Sequence, residues 1–205
     1  MRRTNSCHAL QILVLLGVGL GLCACRSAPP AITYYTLDPL SLETASVQAS
    51  AGITPLTVGI GPVSLPTYLE RTQIVTRSGD HTLAVNDFHR WAGPLDEEIL
   101  RVLVVSVGKA LPGAEVLPYP WGHRTDPTHQ VRLALQRFDG QIGGQVHLRG
   151  TWHLICHSDP DKRVGRTFDI SEAVTAPGMT GLVDAQNRAL GKLAEQMVAV
   201  LCAVP

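Results

Sequence analysis

Eight histidines and five cysteines are the residues of this 205-residue chain best suited to chemistry. A zinc site needs its donors within about 2 Å of one point. His147, His153 and His157 share a strand-like face. Strand residues rise about 3.3 Å each, so His153 and His157 stand roughly 13 Å apart and build no site on their own. His81, His89, His123 and His129 fall near loops without ligand spacing; solvated side chains are the expectation for all of them. Gly59-Ile60-Gly61 begins like a dinucleotide loop, but Pro62 follows at once, position 64 is serine and no helix opens there. There is no Gly-x-Ser-x-Gly elbow. Cys156 falls beside Trp152 and Leu154 on an inward strand face, where a thiol is packing rather than an activated nucleophile. No metal, no cofactor and no catalytic residues are expected, and the chain reads as a non-enzyme.

Arginines and aromatics are a different case. Arg77, Asp87, Arg90, Trp91 and Asp96 fall within twenty residues. They read either as an inter-strand salt link with support for a helix end, or as a contact surface, since Arg and Trp are common interface anchors. Tyr119 and Trp121 on a proline-rich segment carry the same pair of readings. Exposed, they favour docking; buried, they plug a core.

The elements that must position these residues can be read from periodicity. Thr57 to Val63 places Val58 and Ile60 at period two and reads as a strand. Gln73 to Arg77 and His81 to Val85 flank the turn Ser78-Gly79-Asp80 and predict a hairpin. Pro94 then opens a helix. Asp96, Glu97 and Glu98 sit in its first turn, where carboxylates suit the positive end of the dipole, and Leu95, Ile99, Val102, Leu103, Ser106 and Ala110 form its stripe. Leu117 to His129 reads as an irregular loop. Val131 onward, Val146 to Cys156 and Val164 to Val174 read as strands, and Leu182 to Ala203 as a long helix with Ala185, Ala189, Leu193, Met197 and Val200 at helical spacing. Tyr34 to Leu37 adds a short strand, and Ser41 to Pro55 a connector. The expected fold is α+β: a single domain whose mixed or antiparallel sheet is covered on one face by two main helices.

The first residues are of another kind. Met1 to Ala24 carries Arg2 and Arg3, then an apolar run from Leu10 to Leu22, and no acid. This is the pattern of a signal peptide, and it is short for a bilayer span. It ends Leu22-Cys23-Ala24-Cys25, which resembles the lipobox of bacterial lipoproteins. Cleavage before Cys25 would leave that thiol lipidated and residues 25–33 as a tether of about 25 Å holding the domain, 34–205, near a membrane. Loss of Arg2 and Arg3 takes Lys+Arg from 17 to 15 against 17 Asp+Glu, a formal −2. So neutral a chain lacks the basic surface that a nucleic-acid partner requires. Cys156 and Cys202 then remain in a compartment that permits disulfides. They can bridge if the last helix packs on the inward strand face and brings their Cα atoms within roughly 7 Å.

Several strings resemble a known family. They are Tyr34-Tyr35-Thr36-Leu37, the run from Ile60 to Arg77, Phe88-His89-Arg90-Trp91-Ala92-Gly93-Pro94-Leu95-Asp96-Glu97-Glu98, Tyr119-Pro120-Trp121 and Arg137-Phe138-Asp139-Gly140. In order and spacing they resemble the auxiliary lipoproteins of the PqiC/YmbA type, from about Tyr34 to the end of the chain. The resemblance implies a lipid-anchored periplasmic subunit of an MCE-type or other ABC-type system that moves lipids or hydrophobic molecules. It implies an MCE-domain subunit as partner, with a homo-oligomer also open. Arg77, Arg90, Trp91, Tyr119 and Trp121 would then lie at the contact. Arg26 follows Cys25 where an inner-membrane retention signal would resemble Asp, which implies the outer membrane. The rival is an anchored domain that itself holds a lipid or small hydrophobic ligand in an apolar pocket.

Overall fold

The computed structural model describes residues 30–40, 56–122, 126–159 and 163–203. The signal, the lipobox with Cys25 and the connector from Ser41 to Pro55 lie outside them.

From Ile32 onward the chain forms one α+β unit. Its main sheet has five strands in the order β5-β2-β6-β7-β8: β2 Thr57–Ser64, β5 Glu115–Pro118, β6 His129–Gly140, β7 Gln145–Cys156 and β8 Arg163–Ala173. β2 runs parallel to both β5 and β6, while β6, β7 and β8 are joined antiparallel. The sheet is therefore mixed. A second sheet of three strands has the order β1-β4-β3: β1 Thr33–Tyr35, β3 Gln73–Gly79 and β4 Thr82–Trp91. A 3-10 turn, Thr67–Leu69, leads into it.

Two helices, α1 (Leu95–Ala110) and α2 (Gly178–Leu201), cover one face of the main sheet and pack on each other. The sequence dictates which face. On β7 the even-numbered residues from Val146 to Cys156 are buried and the odd ones are not. Val58 and Ile60 on β2, Val131 and Leu133 on β6, and Phe168 and Ile170 on β8 point the same way. The stripe Leu95, Ile99, Val102, Leu103, Ser106 and Ala110 of α1 is buried as its spacing requires. Gly150 keeps β6 and β8 close: a Cβ there would meet Ala134 O at 2.3 Å and Phe168 Cζ at 3.0 Å, so the Phe168 ring fills the space a side chain would take.

Three readings shift. The hairpin strands are longer than the alternation suggested, reaching Gly79 and Trp91. The segment read as loop from Leu117 contains the end of β5, and its last residue, His129, opens β6. α2 begins at Gly178, whose φ of +72° is a conformation glycine adopts without strain, rather than at Leu182. Among the described residues, no helix is long and apolar enough to cross a membrane.

Candidate partner-binding site

One carboxylate ties the two sheets together. Asp139, near the end of β6, has no solvent exposure. Arg77 on β3 donates to it from Nε at 2.9 Å and from Nη2 at 3.1 Å. The Tyr68 hydroxyl donates at 2.8 Å and Arg137 Nε at 3.0 Å. Burial alone would raise the Asp139 carboxyl, but hydrogen bonds from Arg77, Tyr68 and Arg137 outweigh it and hold it below the usual range. The Tyr68 phenol is pushed up by burial and then by Asp139, and the Arg77 guanidinium is held protonated by the bond to Asp139. Of the two readings of Arg77, the salt link is the one the geometry carries. Sequence reasoning missed Asp139; the Arg137-x-Asp139 spacing, which puts both on one strand face, could have pointed to part of the cluster, whereas the link to Arg77 and Tyr68 is long-range.

Trp91 is a core residue. It is 3% exposed at the end of β4, its backbone N–H donates to Thr72 O at 2.7 Å, and it pairs in register with Tyr35. It is thus unavailable as a docking anchor. Trp91 and Leu95, at the start of α1, are buried in the same core. Arg90 is half-buried and donates from Nε to Asp87 O at 3.1 Å. Asp96 lies in the first turn of α1, as helix-end support requires. Beside them, Tyr35 Oη and His89 Nδ1 are 3.0 Å apart.

Tyr119 and Trp121 stand together, away from this cluster. Their rings meet edge to face with centroids 5.3 Å apart. Trp121 is half-buried: a Cβ added to Gly59 would meet its ring and Pro127 at 2.7 Å. Gly61, at φ +114°, similarly lies against Tyr119: a Cβ added there would come 2.6 Å from Tyr119 Cβ. The two glycines of β2 thus let Tyr119, Trp121 and Pro127 lie close against that strand, and Gln130 Nε2 donates to Gly61 O at 2.9 Å. Tyr119 nevertheless stays 44% exposed. It borders a groove of about 590 Å³ along α1, lined by Leu100, Val104, Pro118 and Pro120. A second groove, about 700 Å³, lies between Val63, Leu69 and the start of α1 at Pro94. Both are open on one side rather than enclosed.

The cysteines do not pair. Both are free. The Cys156 thiol lies 3.0 Å from Ser158 Oγ, a contact that lowers its pKa. Cys202 is exposed just past the end of α2, whose last buried residue is Leu201. The helix covers the strand face as expected but delivers Cys202 to its outer side. Of the histidines, His147 Nδ1 and Ser171 Oγ are 2.9 Å apart on the outer sheet face. His129 is buried, which lowers its pKa with help from His157, and its Nε2 has no hydrogen-bond partner. Among the described residues no group of three His, Cys, Asp or Glu could hold a metal.

A mixed sheet lies under two helices, a buried ion cluster joins it to a small accessory sheet, and an aromatic flank stands beside open grooves. The family model of the ABC-type transport auxiliary lipoprotein component matches residues 35–198, and the chain belongs to that family. It is 29% identical over 164 residues to the intermembrane transport lipoprotein PqiC of Escherichia coli, covering 80% of this chain and 83% of that one. The PqiC of Shigella flexneri matches with the same figures. Among solved structures, an uncharacterized protein matches with a TM-score of 0.68 at 19% identity, over 83% of this chain and 99% of its own. A protein of Xanthomonas campestris matches with 0.62 at 16% identity, over 83% and 95%. At such identities these two structures bear on the fold alone. The protein is thus a lipoprotein-type auxiliary component of a transport system.

Proposed function

We propose that this protein is a non-enzymatic periplasmic subunit, anchored by lipid on Cys25 to the outer membrane, of an MCE-type system that moves lipids or other hydrophobic molecules between membranes and so supports the envelope. The observation that carries the reading is the family match over residues 35–198, together with 29% identity to a lipoprotein named for intermembrane transport. The signal peptide, residues 1–24, and the tether, 25–33, belong to this proposal. The contact with the transporter subunit lies on the flank of Tyr119 and Trp121, with the groove along α1. Tyr119 is the aromatic of the proposed anchors that stays widely exposed, at 44%, and Leu100 and Val104 line apolar space beside it. Arg77 and Trp91 act from within, by fixing the hairpin and the start of α1.

The test compares binding with folding. Crosslinking in native membranes should recover a transporter subunit with an MCE domain. Tyr119→Ala should weaken that complex by about 2–4 kcal/mol, roughly thirty- to a thousand-fold, as interface aromatics do. Its melting temperature should stay that of the wild type. A variant that melts early but binds normally would remove Tyr119 from the interface. A stoichiometric lipid that co-purifies with the protein, with no transporter subunit captured, would instead support the ligand-binding reading for the grooves.

A further inference from the structure

The small sheet has an open edge. β4 runs from Thr82 to Trp91, but β1 covers only His89 to Trp91. Along the uncovered part Leu83, Val85 and Phe88 are 37%, 43% and 44% exposed. The tip of the β3–β4 hairpin lies beside the β6–β7 turn, because Arg77 on β3 bonds Asp139 on β6 at 2.9 Å. That turn carries Ile142, 45% exposed. The end of β8 arrives there too, Val174 N–H donating to Gly144 O at 2.9 Å. Lone exposed aliphatics are ordinary. Several gathered at one end of a molecule mark a surface for something apolar.

The chain before β1 decides what that is. β1 runs parallel to β4, with Thr33 opposite His89, so the chain reaches Thr33 from the side of the hairpin tip. Cys25 precedes Thr33 by eight residues, which span at most about 27 Å when extended. The seven residues of β4 from His89 back to Thr82 span about 23 Å. That length suffices for a lipid on Cys25 to lie at the tip, with only a few ångströms to spare. The opposite end, where α1 finishes, lies a further helix of 16 residues away, about 24 Å in the wrong direction.

We propose that the end formed by the hairpin tip and the β6–β7 turn is the membrane-facing pole, with Leu83, Val85 and Ile142 resting in the headgroup layer of the bilayer that holds the anchor. This rests on the reading that Cys25 is lipidated. Apolar side chains settle roughly 5–10 Å into that layer, and the polar tip residues Ser78, Asp80 and His81 remain among the headgroups. The pole shares no residue with the flank of Tyr119, so anchor and partner do not compete for one surface.

The test places tryptophan at exposed positions of the full lipidated protein, in vesicles of phosphatidylethanolamine and phosphatidylglycerol with brominated acyl chains. Leu83→Trp and Ile142→Trp should each lose emission relative to unbrominated vesicles, beyond any loss seen in the wild type. Lys109→Trp, exposed in the last turn of α1, should lose none. Vesicle-bound protein in which Leu83→Trp and Ile142→Trp are no more quenched than Lys109→Trp overturns the pole and leaves the anchor standing. Mature protein whose Cys25 carries no lipid overturns both.

Discussion

Asp139 is the residue on which the domain's shape depends. Its carboxylate is fully buried yet stays charged, because Arg77, Tyr68 and Arg137 donate to it from two different layers. Removing it leaves donors facing a cavity without an acceptor. Arg77 and Arg137 keep 22% and 23% side-chain exposure, so both can turn toward water, which puts the loss below that of a wholly buried pair. Asp139→Ala should therefore destabilise the domain by about 2–3 kcal/mol at neutral pH. The pH dependence has a definite sign. Asp139 is held below its ordinary value of 3.8 in the folded state, so its contribution is fully present above that value and is lost as pH falls through the lower native pKa. Denaturant titrations between pH 7 and pH 2 should show this acid-side loss in the wild type and a shallower one in Asp139→Ala. Equal slopes would mean that the cluster does not hold the small sheet in place.

Among the elements, the strands and helices that bury a face were legible, because burial imposes a period on the sequence. The inward residues of β7 and the stripe of α1 can be read straight from their spacing. β5 was not, because an edge strand of four residues that ends in Pro118 is too short to show alternation, and its two central residues, Val116 and Leu117, are both only half-buried. Nor was the burial of Trp91, since composition marks an aromatic as an anchor or as core without choosing between them. The same ambiguity at Trp121 resolves halfway: the ring is laid over Gly59 while Tyr119 beside it faces water. That arrangement depends on the glycine. Gly59→Ala would put a methyl 2.7 Å from both Trp121 and Pro127, and because these side chains belong to the connection between β5 and β6 rather than to a paired strand, that connection should shift rather than the sheet break. The expected loss is about 1–3 kcal/mol, at about 2–4 °C in Tm per kcal/mol, with a red shift of tryptophan emission as Trp121 meets water. An unchanged spectrum would show that the segment accommodates the methyl without moving.

At the scale of the whole molecule, the proposed location rests on the residues before the folded domain. Residues from Ile32 onward form the folded unit, so changes at positions 25 and 26 can alter location without altering the fold. On the proposed lipidation of Cys25, a tether of about 25 Å would keep the domain at whichever membrane receives the lipid. Arg26, in place of the Asp that would resemble a retention signal, is the feature of this chain that speaks for the outer membrane. Cys25→Ser should leave the protein soluble or stalled as precursor, since the anchor depends on that thiol, and a lipoprotein's several acyl chains otherwise hold firmly. Arg26→Asp should move the lipidated protein from the outer- to the inner-membrane fraction of a density gradient, with its melting temperature unchanged. The transport phenotype should then fail although the domain is folded and anchored, because it stands at the wrong membrane. A wild-type protein found in the inner-membrane fraction, or an Arg26→Asp variant that stays where the wild type is, would end the outer-membrane assignment.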